Sequence, residues 1–434
     1  MNLRSKQMST GLLHSLYGVA VTAALPLVCV GMAASARGRR RFGERLGNWD
    51  LVGDVSWWLH GASVGEVQGL VPLINEIRSA ESPSRVLLTA TSPTGLERGG
   101  PLVDETRLLP IDAPFLVQKV LRRGQFERLV VSETELWPSL LKQVINAQVP
   151  VHFINARISD YTYRWYYFAR SVFMPLLRGC SSISVPDEEQ RRRFISLGVP
   201  SELIHITGHT KYDVHPRYSS DEARMGARQM LFPGVADGDF IVVLGSLREG
   251  EESVWFPALS KAWDAGIPLK VVVAPRHAER FEFFWRGIET LGKRAARWSE
   301  GESVAAGGHD VLLLDTMGLL ERAYSACDLA FVGATLVDIG GHNPLEPAMY
   351  GVPVVVGPHT SVIREVVSRM RTRGGIVEIG GEQGAFDVLA QLVSNSSGLR
   401  EVGESGYRVY AEHRGAAARV LAVIRASERQ QPST

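Results

Sequence analysis

The chain has 434 residues, 45% of them hydrophobic, and 47 Lys plus Arg against 46 Asp plus Glu for a formal net charge of +1. That length accommodates two domains with cores of their own, and the balanced charge gives no electrostatic footprint for nucleic acid, so no nucleic-acid partner is expected. Three widely separated cysteines, Cys29, Cys180 and Cys327, exclude a disulfide framework or zinc cluster by spacing and read as buried residues in a reducing compartment.

From Leu12 to Ala34 the chain is largely apolar, interrupted by His14, Ser15 and Pro26, with Arg4 and Lys6 before it and Arg37, Arg39, Arg40, Arg41 and Arg45 after it. About 20 apolar residues suffice to cross the hydrocarbon layer, so this stretch predicts one span or a deeply seated monotopic helix. The basic excess downstream places the body in the cytoplasm and adds attraction to anionic lipid. A cleaved signal peptide is the rival, since Met32-Ala33-Ala34-Ser35-Ala36 offers small residues. The arginines that follow would hinder export and favour the uncleaved anchor. Residues 1–49 are therefore read as membrane anchor and basic linker.

The body switches repeatedly between short apolar runs and helical patterns. Strands are expected at Val55–His60, Arg85–Ala90, Arg107–Asp112, Leu129–Ser132, Val151–Asn155, Cys180–Val185 and Leu203–Thr207. This β-then-α alternation predicts an open parallel sheet covered by helices over 50–215. The Pro- and Gly-containing stretch 216–238 reads as an interdomain region. Phe240–Leu244, Leu269–Ala274, Val311–Leu314, Leu329–Val332 and Val352–Val356 repeat the pattern over 239–402. Their valine-rich runs suit a sheet buried on both faces. Residues 403–434 read as a helix to about Ala426 and a polar end.

Between Tyr161 and Tyr167 stand Tyr163, Trp165 and Tyr166 with Arg164, a cluster that fits an acyl-chain surface, interfacial anchoring or plain core packing. Neither half shows GxGxxG after its first strand, and the P-loop GxxxxGK[ST] is absent. In the second half, Gly340-Gly341-His342-Asn343-Pro344-Leu345-Glu346-Pro347 follows a strand and precedes a helix expected to end near Gly351. Free N–H groups of that helix start could hold an anionic or hydroxyl-rich ligand. A helix N-cap in a tight turn is the plainer reading.

Taken in order, several blocks are distinctive: Arg41-Phe42-Gly43-Glu44-Arg45-Leu46-Gly47, His60-Gly61-Ala62-Ser63-Val64-Gly65-Glu66, Glu133-Thr134-Glu135-Leu136-Trp137-Pro138, Asn155-Ala156-Arg157, Gly208-His209-Thr210-Lys211-Tyr212-Asp213, Gly250-Glu251-Glu252, Ala274-Pro275-Arg276-His277-Ala278-Glu279-Arg280-Phe281 and Gly340 to Pro347. With these blocks the chain resembles the 3-deoxy-D-manno-octulosonic acid (Kdo) transferases of lipid A assembly over nearly its whole body. The resemblance implies an α/β fold of two Rossmann-like domains in a GT-B arrangement, preceded by a membrane-associated helix. It also implies inverting transfer of Kdo from CMP-Kdo to a lipid A precursor. The first domain is then acceptor-binding and the second CMP-Kdo-binding. No cofactor and no required metal are implied, CMP-Kdo being the donor substrate. The expected location is the cytoplasmic face of the inner membrane, with the anionic inner-membrane surface as a partner.

An acceptor hydroxyl must lose its proton as its oxygen attacks the anomeric carbon, and Glu66, corresponding to the family's catalytic carboxylate, is the expected base. Capping or a surface role is the alternative for Glu66. Glu133 is expected to orient the acceptor or tune Glu66, whereas Glu135 satisfies backbone or anchors an arginine. Lys211, Arg276 and His277 form an anionic-ligand set for phosphate or the Kdo carboxylate. Asn343 is assigned to donor recognition and Glu346 to a sugar or ribose hydroxyl, with the Gly340 and Gly341 backbone holding phosphate. Two departures from the family pattern bear on donor contacts: His209 stands where a small polar residue or Asn is usual, and Arg248 where His is usual. A GT-B transferase using a UDP-sugar and a non-catalytic membrane-associated carbohydrate-binding protein are the alternatives.

Overall fold

The computed structural model describes residues 3–80, 84–213, 216 and 218–429, with the side chains of 3–13, 36, 37, 160 and 161 outside that description. The side chains of Arg4, Lys6, Arg37 and Tyr161, and most of the expected polar end, therefore lie outside the described residues. The chain divides into two units, Met1–Val214 with His413–Thr434, and His215–Glu412.

The first unit carries β1 (Trp57–His60), β2 (Val86–Ala90), β3 (Glu105–Leu108), β4 (Leu129–Ser132), β5 (Val151–Ile154), β6 (Ser182–Val185) and β7 (Ile204–Ile206). All are parallel, in the order β3-β2-β1-β4-β5-β6-β7. Every residue of β1, β2, β4, β5 and β6 is buried, which is why these segments are mostly apolar and free of formal charge apart from histidine. The third strand sits earlier than the predicted Arg107–Asp112 because Pro110 cannot donate to a ladder. At this sheet edge its charges are tolerated, Arg107 pairing with Glu105 at 2.9 Å.

One face of the sheet is covered by helix Val64–Ala80, whose Val67, Leu70, Leu73, Ile74 and Ile77 pack on Trp57 and Leu59. Val420, Leu421 and Ile424 of the C-terminal helix enter the same core. The single helix expected from 403 is in fact two, Ser396–His413 and Ala416–Arg429, broken where Gly415 takes φ 74°. Residues 403–412 belong to the second unit, so the expected boundary at 403 moves to His413. Asp213 starts the last helix by accepting from Gly415 N and Ala417 N, each at 2.7 Å, and Glu428 closes it on Arg128 Nε at 2.7 Å.

The second unit begins with helix Asp221–Leu231, where the sequence suggested a linker. Ser220 caps it by accepting from Ala223 N at 3.1 Å, and Ala227 and Leu231 are buried. Its strands are β8 (Phe240–Leu247), β9 (Leu269–Pro275), β10 (Ala295–Arg297), β11 (Val311–Leu313), β12 (Leu329–Val332), β13 (Val354–Val356) and β14 (Val377–Glu378). They are again parallel, in the order β10-β11-β9-β8-β12-β13-β14. The two edge strands, Ala-Ala-Arg and Val-Glu, are too short and mixed to have an apolar signature.

The N-terminal helix runs Leu3–Ala34 and includes Pro26. Its stretch His14–Ala34 has a mean hydropathy of 2.0 and is long and apolar enough to cross a membrane. Leu16, Leu27 and Val30 are exposed. Near its start Tyr17 Oη donates to Asp112 Oδ2 at 3.0 Å. Beyond its end Arg40 pairs with Glu97 at 2.7 Å, Arg41 with Glu44 at 2.8 Å, and Arg45 donates to Thr91 O at 2.8 Å. Cys180 and Cys327 are buried as expected, but Cys29 on this helix is partly exposed.

Candidate active site

In the first sheet the strand order reverses between β1 and β4, the place where open α/β sheets leave a crevice at their carboxyl ends. The chain leaves β1 through Gly61, where a Cβ would stand a tight 3.0 Å from Val67 N, so glycine eases the close return of the next helix. Glu66 lies in that helix's first turn. Its Oε2 accepts from Ala62 N and its Oε1 from Ser63 Oγ, both at 2.8 Å, while Ser63 Oγ accepts from Glu66 N at 3.3 Å. This is a capping arrangement, and each carboxylate oxygen keeps a lone pair for a proton. Burial raises the Glu66 proton affinity, the Ser63 and Ala62 hydrogen bonds oppose it, and Glu133 adds to it, the result being a raised pKa.

Glu133 follows β4 with φ 60°, its N–H bonded to Ile154 O at 2.8 Å. Its carboxylate meets Arg157, with Nε 3.1 Å from Oε2 and Nη2 3.3 Å from Oε1. The arginine anchoring expected of Glu135 thus falls to Glu133. Glu135 is pushed up to about 7, first by burial, then by the charges of Glu66 and Glu133. Three carboxyls therefore gather at one switch point, and among the described residues no such group is arranged to hold a metal ion.

Lys211 belongs to the first unit, not to the unit carrying Arg276 and His277, so the expected cationic set is divided. It is exposed on the turn Thr210–Tyr212, which is tied to the sheet by Asn155: Asn155 Nδ2 donates to Thr210 Oγ1 and Thr210 N to Asn155 Oδ1, both at 2.8 Å. The departure at His209 has a local explanation. Its Nδ1 accepts from Lys211 N at 3.2 Å, the capping task that Asn or a small hydroxyl residue performs. Burial, then Arg157, His413 and Lys211, hold His209 well below the usual histidine range, which keeps that acceptor unprotonated.

In the second sheet the order reverses between β8 and β12. Beyond β8, Arg248 Nη1 meets His277 Nε2, and Arg276 and His277 extend from β9. His342 arrives from the segment after β12. Its pKa is lowered to about 4 by burial, then by Arg276, Arg248 and His277, so it stands in a concentrated positive field. Glu346 is solvent-accessible, yet the surrounding protein raises its pKa against the opposing charge of Arg276.

Glu251 carries a role that sequence reasoning left unassigned. Its side chain is fully buried and accepts from Arg248 N at 2.9 Å, Ala334 N at 3.0 Å, Thr335 N at 2.9 Å and Leu336 N at 3.0 Å. It fastens the exits of β8 and β12 together and sets where Arg248 starts. The available signal was an acidic residue beside a glycine in the segment Gly250-Glu251-Glu252.

The segment Gly340 to Pro347 differs from expectation in one respect. Its helix is the single turn Leu345–Ala348, too short to present a helix-dipole anion site. Asn343 Oδ1 accepts from Leu345 N at 3.1 Å, the capping alternative. Gly340 and Gly341 take φ 106° and 91°, and a Cβ on either would come within 2.5 Å of Val362 or Ile363. The close approach of Val362 and Ile363 accounts for glycine at both positions.

Two parallel α/β units, each with a polar switch point, place the chain among the two-domain doubly wound α/β proteins. The chain is similar in fold to UDP-GlcNAc 2-epimerase from Neisseria meningitidis, with a TM-score of 0.56 and 14% identity over 86% of this chain and 100% of that one. The profile described as 3-Deoxy-D-manno-octulosonic-acid transferase (kdotransferase) matches residues 40–214. The 3-deoxy-D-manno-octulosonic acid transferase of Haemophilus influenzae is 31% identical over 90% of this chain and 92% of its own. That of Chlamydophila psittaci is 32% identical over 77% and 76%. The chain belongs to the 3-deoxy-D-manno-octulosonic acid transferase family.

Proposed function

We propose that the protein transfers Kdo from CMP-Kdo to a lipid A precursor by a single inverting displacement. The observation that carries this reading is the opposite charge of the two switch points: carboxyls Glu66, Glu133 and Glu135 on one unit, the guanidiniums of Arg248 and Arg276 on the other. The acidic edge suits a neutral hydroxyl that must lose a proton, and the cationic edge suits a donor carrying phosphate and carboxylate.

Glu66 accepts the acceptor's proton as its oxygen attacks the anomeric carbon, and the carbon–phosphate oxygen bond breaks on the opposite face to release CMP. Glu133, oriented by Arg157, positions the acceptor. Arg276 and His277 stabilise the departing phosphate or bind the Kdo carboxylate, and Lys211 offers a further cation from the first unit. Asn343 and Glu346 recognise donor polar groups, Glu346 taking a hydroxyl. In this reading the units operate in the GT-B manner, residues 50–215 binding the acceptor and 239–402 the donor.

The exposed apolar N-terminal helix supports docking on the anionic cytoplasmic face of the inner membrane. Purified protein given CMP-Kdo and tetra-acylated lipid A precursor should release CMP in step with a lipid gaining Kdo mass, with competition by CMP but not UDP. Absence of a Kdo-bearing lipid from folded protein contradicts the assignment, and competition by UDP favours a UDP-sugar donor.

A further inference from the structure

The N-terminal helix does more than offer an apolar surface. With the segments that leave β3 and β4 it forms a groove of about 640 Å³, within the ~300–1,000 Å³ usual for ligand sites. Gly18, Val19 and Ala23 form one wall, and Pro114, Phe115 and Pro138 face them. Asp112 fixes the assembly: it accepts from Tyr17 Oη at 3.0 Å, Ser139 N at 3.0 Å and Leu140 N at 2.8 Å, joining the helix to both segments.

Two further observations identify the occupant. First, Tyr17, near the start of the apolar stretch, and Arg40, beyond its end, are both bonded to the first unit. A helix crossing a hydrocarbon layer about 30 Å thick would carry those ties to opposite faces, so this one lies along the unit. Its exposed Leu16, Leu27 and Val30 then meet lipid while Gly18 and Val19 line the groove, giving an apolar path from bilayer to groove. Secondly, the groove lies at the same sheet edge as the carboxyl cluster. Pro138 is joined to Glu135 by a chain that spans at most roughly 11 Å.

We infer that this groove holds an acyl chain of the lipid acceptor, presenting its sugar at the edge bearing Glu66 and Glu135; the inference rests on the transferase reading above. Each methylene buried there improves binding by roughly threefold to fourfold, so acyl recognition is large enough to measure apart from sugar recognition.

The test compares kcat/KM in phospholipid vesicles for a tetra-acylated acceptor and for its deacylated counterpart, using the full chain. Val19→Trp, which fills the groove, and Phe115→Ala, which removes its half-exposed aromatic wall, should each lower the acylated-to-deacylated ratio at least tenfold. Val28→Trp, on the same helix outside the groove, should leave the acylated-to-deacylated ratio unchanged. An unchanged ratio in both groove variants overturns the proposal, as does a ratio that simply follows vesicle binding. No transfer by the unaltered enzyme to either acceptor would instead contradict the transferase reading.

Discussion

Arg157 holds the Glu133 carboxylate with Nε 3.1 Å from Oε2 and Nη2 3.3 Å from Oε1, so the carboxyl whose proton affinity is raised to about 7 is Glu135. The two acids lie two positions apart, but Glu133 has a fixed cation and Glu135 faces the charges of Glu66 and Glu133. Glu133→Gln, which removes a charge that raises the Glu66 proton affinity, should therefore move the acid limb of kcat to lower pH. The stability effect has a definite sign. Between about pH 4.5 and 7 the unfolded chain has released a proton that the folded chain retains, so stability falls with rising pH. Glu135→Gln should stabilise the protein at pH 8 relative to pH 4 by on the order of 1–3 kcal/mol, allowing for partial solvent screening. Thermal unfolding at both pH values checks this, and an unmoved kcat limb with no differential stabilisation removes the coupling.

Donor binding should depend on the cationic edge. Arg276 lowers the proton affinities of both Glu346 and His342, placing its charge among the groups assigned to the donor. Arg276→Ala should reduce kcat/KM for CMP-Kdo roughly 10- to 100-fold, the loss of a charge-assisted hydrogen bond, while acceptor KM changes little. A normal donor titration would remove Arg276 from the site.

Glu251 carries a structural prediction. Its carboxylate serves four backbone N–H groups with no exposure to water. Glu251→Ala leaves those donors unsatisfied and should destabilise the second unit by at least ~3 kcal/mol, seen as a lowered unfolding midpoint. Unfolding identical to the unaltered protein would show that the loops hold without this clasp.

The central strands were legible because burial on both faces writes them as mainly apolar runs, uninterrupted in β12 and β13 and nearly so in β4. Edge strands β3, β10 and β14 bury less and mix charges into short segments, so periodicity misplaced the first and missed the others. Position at a strand exit could be read for Glu66, Glu133 and Arg276. Side-chain pairing could not, because it depends on contacts across the sheet: Arg157 chooses Glu133 over Glu135, and Lys211 falls on a different unit from Arg276. The one-turn helix after Pro344 escaped notice because Asn, Pro and Glu begin short and long helices alike.

The central claim is that Glu66 takes the acceptor proton during Kdo transfer, and single turnover with Glu66→Gln tests it most directly. With CMP-Kdo and tetra-acylated lipid A precursor both saturating, the variant should bind donor with near-normal affinity and form the Kdo-bearing lipid roughly 10²- to 10⁴-fold more slowly. An undiminished rate of Kdo-lipid formation by Glu66→Gln would contradict the account.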